Sequence, residues 1–81
     1  MVKKIAGATE IMNRKTRAVI TSGQELRGIG TPELIRTLGI GNSTFYARKQ
    51  NTDDFRLGDI RRMARVLDLT DQDIITIVRG K

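Results

Sequence analysis

Glycine punctuation constrains this chain more than any other feature. Gly39-Ile40-Gly41 stands between two short stretches of helical patterning and leaves only three residues in which to reverse direction. A left-handed residue is a common way to end a helix, and Gly39 can adopt that conformation without a Cβ penalty. Ahead of the turn, Thr31-Pro32-Glu33 reads as an N-cap, a proline at the first helical position and an acid near the positive end of the dipole. Leu34, Ile35 and Leu38 then form a buried stripe, so the spacing predicts a helix over 32–38. A helix that short is marginal alone and needs tertiary partners. Beyond the turn, Gly41 or Asn42 caps a second helix, Ser43-Thr44-Phe45-Tyr46-Ala47-Arg48-Lys49, that continues to Gln50 with Phe45 as its inward anchor.

Further along, Asn51-Thr52-Asp53-Asp54 has turn chemistry, and Phe55 pins that loop to the core. Leu57, Ile60, Met63, Ala64 and Leu67 trace one helical face over three turns, with Arg61, Arg62 and Arg65 on the others. Thr70 caps a final helix with Asp71 and Asp73 in its first turn and Ile74, Ile77 and Val78 as its core stripe. Ile75 falls off that stripe and suits a dimer surface, and Gly80 closes the helix. The beginning of the chain is less regular. Ile11, Met12, Ala18, Val19, Ile20 and Leu26 fit a helix over 11–27 poorly. Thr21-Ser22-Gly23 interrupts it, and Ala18-Val19-Ile20-Thr21 equally fits a strand; helix is the expectation. Residues 1–9 read as a flexible basic arm and 10–81 as a single domain.

At 81 residues the chain can hold one modest core. Its 15 basic and 9 acidic residues give a net charge of +6, which favours anionic partners, nucleic acid first and membrane surface second. The excess is local. Lys3, Lys4, Arg14, Lys15 and Arg17 oppose Glu10 at the start, and Arg48, Lys49, Arg56, Arg61, Arg62 and Arg65 oppose Asp53, Asp54 and Asp59 in the middle. Without Cys or His the chain lacks disulfides, the usual zinc ligands, thiol nucleophiles and imidazole bases. No paired constellation for chemistry emerges, and Asp53-Asp54 reads as a pair of solvent-facing caps rather than a Mg²⁺ site. Gly28-Ile29-Gly30-Thr31 recurs as Gly39-Ile40-Gly41-Asn42, but neither copy matches a dinucleotide or phosphate-loop fingerprint. The expectation is no enzyme, no metal, no cofactor and no small-molecule substrate. The opening apolar run stops at Thr9-Glu10, short of a signal sequence, and no stretch is long enough to span a membrane. A cytoplasmic, nucleoid-associated location is expected.

Two short helices joined by a glycine-containing three-residue turn form a helix-turn-helix unit, here Thr31 to Asn51. Its second helix keeps a polar outer face suited to a major groove about 12 Å wide. Residues 27–78 resemble the Cro/repressor-type (xenobiotic response element) helix-turn-helix family. The resemblance rests on Gly28-Ile29, Leu34, Leu38, Gly39-Ile40 and Ser43-Thr44-Phe45-Tyr46, then Leu57-Gly58-Asp59-Ile60, Ala64 and Leu67-Asp68-Leu69. The stretch from Gly39 to Leu69 is especially similar to small prophage-borne members. Departures are Ile35 where the family usually has Ala, Arg48 where it has an apolar residue, and an irregular first helix.

The resemblance implies an all-α, lambda-repressor-like bundle of four or five short helices. It also implies binding to double-stranded operator DNA as a transcriptional repressor, often as a homodimer. Carried onto this sequence, it assigns base reading to Asn42, Ser43, Tyr46 and Lys49 on the second motif helix. Thr31, Thr44, Arg48, Arg56, Arg61 and Arg62 would meet the DNA backbone. Each has a plainer reading: Asn42 as a cap, Tyr46 as packing, any single Arg as solvated or ion-paired, and Arg65 as paired with Asp59 or Asp68. The competing function is a helix-turn-helix protein-interaction module, antitoxin-like or a phage assembly factor, without sequence-specific DNA binding.

Overall fold

Five α-helices and one short 3-10 turn account for most of residues 7–80, the part of the chain that the computed structural model describes, with no strand among them. The helices are α1 (Ala8–Arg27), α2 (Thr31–Leu38), α3 (Asn42–Gln50), α4 (Leu57–Val66) and α5 (Asp71–Arg79), with the 3-10 turn at Thr52–Asp54 between α3 and α4. The all-α fold expected from the sequence is therefore observed. Helix α1 packs on α5 and α3, and α2 packs on α4. One core joins α1 through α4, built from Ile20, Leu34, Ile35, Leu38, Phe45, Phe55, Met63 and Leu67, and α5 contributes no buried residue to it.

The first helix differs most from the sequence pattern. It runs unbroken through Thr21-Ser22-Gly23, so the strand alternative fails. Its buried face is Asn13, Thr16, Ile20 and Gly23, not the apolar set that a periodicity search counts. Leu26 is 74% exposed, and Ile11 also faces out. Gly23, which looked like a helix breaker, is a close-packing residue. A Cβ there would lie 3.1 Å from Leu67 Cβ and 3.3 Å from Leu69 Cδ2. The Asn13 side-chain oxygen, Oδ1, accepts from Thr52 N–H (3.0 Å) and the Thr52 hydroxyl (2.6 Å), tying α1 to the 3-10 turn. Helix α1 begins at Ala8 behind Gly7, so Ala8 and Thr9 belong to it rather than to an arm. The rest of the expected arm, with Lys3 and Lys4, lies outside the described residues.

Local signals place most helix ends. Gly28, Gly39 and Gly80 take left-handed conformations as C-caps. At Thr70 the hydroxyl accepts from Asp73 N–H while Asp73 accepts from Thr70 N–H, a reciprocal capping box. One cap differs from expectation: Gly30, not Thr31, is the N-cap of α2. Of the two caps open for α3, Gly41 or Asn42, the structure takes Gly41. In each case the extended residue that starts the helix is glycine, and the polar residue becomes the first helical position. The stripes also shift. Leu57 is exposed while Asp59 is buried, and Val78 is 60% exposed and joins Ile75 on the outside.

The Gly23 contact makes a direct prediction. Gly23→Val forces branched carbons against Leu67 and Leu69, and overpacking of this kind costs about 1–3 kcal/mol. Thermal unfolding followed by circular dichroism should show a lower Tm for Gly23→Val. Ser22→Val, one residue away on the exposed face, should stay within about 0.5 kcal/mol of the parent.

Candidate nucleic-acid interface

Helix α3 is short and mostly polar, and its two faces are used differently. Phe45 is fully buried and meets Phe55 edge-on, with ring centroids 6.3 Å apart. The opposite face carries Asn42, Ser43, Tyr46, Ala47 and Gln50, all exposed. Residues three, four, seven and eight apart share a helical face, so these five form one contiguous stripe. Asn42 is not consumed as a cap, and Tyr46 touches the Phe45 ring with one edge while staying exposed. Gln50 and Ala47 belong to this stripe although the family pattern did not single them out. Their spacing from Asn42, Ser43 and Tyr46 was sufficient to find them.

Of the expected base readers, Lys49 is placed differently. It is half-buried, with its ammonium 5.8 Å from the centre of the Phe45 ring, beside the outward stripe rather than in it. The larger correction concerns Arg48, expected at phosphate. Its guanidinium donates to Asp59 Oδ2 at 2.6 Å, and the two side chains are only 14% and 4% exposed. Arg48 is therefore held as one half of a mostly buried ion pair rather than left free for a phosphate. Asp59 Oδ2 also accepts Arg56 N–H at 3.0 Å and so caps α4. Thr44 is half-buried on the same side of α3 as Arg48. Thr31 is half-buried too, and its hydroxyl accepts from Gln24 Nε2 at 3.2 Å, which fastens the link from α1 to α2.

The remaining arginines divide by position. Arg48, Arg56 and Arg62 line one groove of about 430 Å³ beside the Gly39-Ile40 turn and the start of α4. Arg61 does not line it and points elsewhere into solvent. Arg56, Arg61 and Arg62 make no ion pair among the described residues. Arg65 pairs with neither expected acid, since Asp59 holds Arg48 and Asp68 holds Arg27 at 2.9 Å. Among the described residues no cluster of three or more His, Cys, Asp and Glu is arranged to hold a metal ion.

A residue that the sequence reading did not single out fixes the far end of α3. Arg17, on α1, donates to Lys49 O at 2.9 Å and Gln50 O at 3.1 Å, and to Glu10 at 3.1 Å. A cation on the last carbonyls of a helix satisfies orphan acceptors and complements the negative end of the dipole. Nothing local in the sequence signals this contact, because it joins residues more than thirty positions apart. Comparison of the chain with protein-family models, curated proteins and solved structures finds no match.

The two arginines of α1 should respond differently to removal. Arg17→Met strips α3 of two carbonyl partners and should destabilise the fold by about 1–3 kcal/mol, since bonds from charged donors are among the stronger ones. Arg14 pairs with Glu10 but is 64% exposed, so Arg14→Ala should change stability by less than about 0.5 kcal/mol. Urea denaturation of both variants measures the contrast.

Proposed function

We propose that this chain is a sequence-specific double-stranded DNA-binding regulator of the phage repressor type, with α3 lying in the major groove. One observation carries the reading. The outward stripe of α3 presents Asn42, Ser43, Tyr46 and Gln50 to solvent while its inward face is occupied by Phe45 and Arg48. Amide side chains of this kind pair bidentately with adenine, and hydroxyls serve either base edge. Arg56, Arg61 and Arg62 supply the sequence-independent attraction to phosphate. Arg56 and Arg62 flank the turn that leads into α3. The activity proposed is occupancy of an operator, with no bond made or broken. A homodimer would read two half-sites about 34 Å apart.

Selection from a random duplex library with the purified chain tests this reading. An enriched sequence supports it, and enrichment of none refutes it. On the enriched site, Asn42→Ala should cost about 1–3 kcal/mol and relax the preference at one base position. Arg61→Ala should weaken all sequences alike. A dimer with about 6–10 phosphate contacts should lose about 10³–10⁵ in affinity between 50 and 200 mM salt.

The exposed apolar residues Leu57, Ile75 and Val78 favour a second reading, a protein-interaction module with the same fold. That reading expects no enriched sequence and biological activity that survives Ser43→Ala and Tyr46→Ala.

A further inference from the structure

We propose that the Arg48–Asp59 ion pair is a positioning device for base readout. It fixes the rotation of α3 about its own axis and its register against the first turn of α4. The inference rests on the DNA-binding reading and deepens it.

Little else holds α3. Phe45 is its one buried residue, and a single anchor leaves a helix free to roll about it. Arg17 restrains the C-terminal end through backbone carbonyls, which lie close to the helix axis and oppose rolling weakly. Arg48 acts at a greater radius. It sits two residues beyond Tyr46 and four beyond Thr44, on the side of α3 turned away from the exposed stripe. Its partner oxygen is already fixed, because the same Asp59 Oδ2 accepts the Arg56 amide. One oxygen atom thus joins the back of α3 to the start of the helix that carries Arg61 and Arg62.

Stability alone does not explain a charged pair here. Replacing a buried ion pair with apolar residues of similar volume is often neutral or stabilising. What the ion pair adds is direction: a short hydrogen bond fixes an angle that apolar packing leaves looser. Side chains that read bases need their orientation held by supporting contacts behind them.

Binding of the full chain to its selected duplex and to a scrambled duplex separates this role from a phosphate contact. Asp59→Asn removes a negative charge, so electrostatics alone expects tighter binding to every duplex. A positioning role expects the opposite for the selected site, a loss of about 5–150-fold, the usual size of coupling between sites. Scrambled DNA should bind as well as before or better. Arg48→Met should lose selectivity with the salt slope unchanged. A direct phosphate contact would instead lower that slope by about 0.9. The double variant Arg48→Met/Asp59→Leu keeps the interior apolar and should fold even if either single variant does not. Circular dichroism confirms folding before each titration. Lost selectivity with an unchanged slope in the folded variants supports the proposal. Retained selectivity in them, or a slope lowered by Arg48→Met, overturns it while leaving DNA binding intact. A parent chain that selects no sequence overturns the DNA reading and this inference together.

Discussion

The nine residues of α3 bury only Phe45, and the arrangement of the molecule around that helix follows from the shortage. A helix of this length does not hold itself together in water. Its start is set by the Gly39-Ile40-Gly41 turn, its middle by Phe45 against Phe55, its back by Arg48 on Asp59, and its end by Arg17. These ties come from α1, α4 and the turns on either side of α3. Because they occupy the inward face and the backbone ends, the outward side chains make no hydrogen bond to the rest of the described chain and stay exposed.

The same economy governs the basic charge. The composition shows an excess of cations but not which of them face an anionic partner. Arg17, Arg27 and Arg48 are held by carbonyls or carboxylates of other parts of the fold. Arg27 also braces Asp68, the one non-glycine residue with positive φ among those described, by donating to its carbonyl and its carboxylate. Three arginines thus act as cross-links between elements, which leaves Arg56, Arg61 and Arg62 exposed and without an ion pair among the described residues, the cations on which the proposed interface draws. Arg48 illustrates the difference. Counted by charge it belongs to the binding surface; placed by burial it belongs to the interior.

Where the fold was legible, a local rule made it so. The Leu34/Leu38 stripe, the glycine C-caps and the Thr70 capping box each depend on residues within a few positions of one another. Helix α1 was poorly legible because its buried face is Asn13, Thr16 and Gly23 as much as Ile20, and those residues look like surface or loop to any periodicity argument. They suit that face only because Thr52, Leu67 and Leu69 come close from elsewhere in the chain. Of the candidate site, Asn42, Ser43 and Tyr46 could be placed from helix geometry alone, whereas Lys49, Thr31 and Arg48 could not.

The sequence by itself determined where most helices end and that Asn42, Ser43 and Tyr46 share one face of α3, while a strand over 18–21 stayed open and Lys49 counted with the outward residues. Helical periodicity and capping act over a few residues, and a sequence records them directly. Tertiary structure decided which polar residues are interior. The Arg48–Asp59 pair, the Arg17 brace and the packing of Gly23 all join residues distant in the chain. Whether a charge is an interface or a cross-link depends on what lies opposite it, and only the folded chain brings that partner into place.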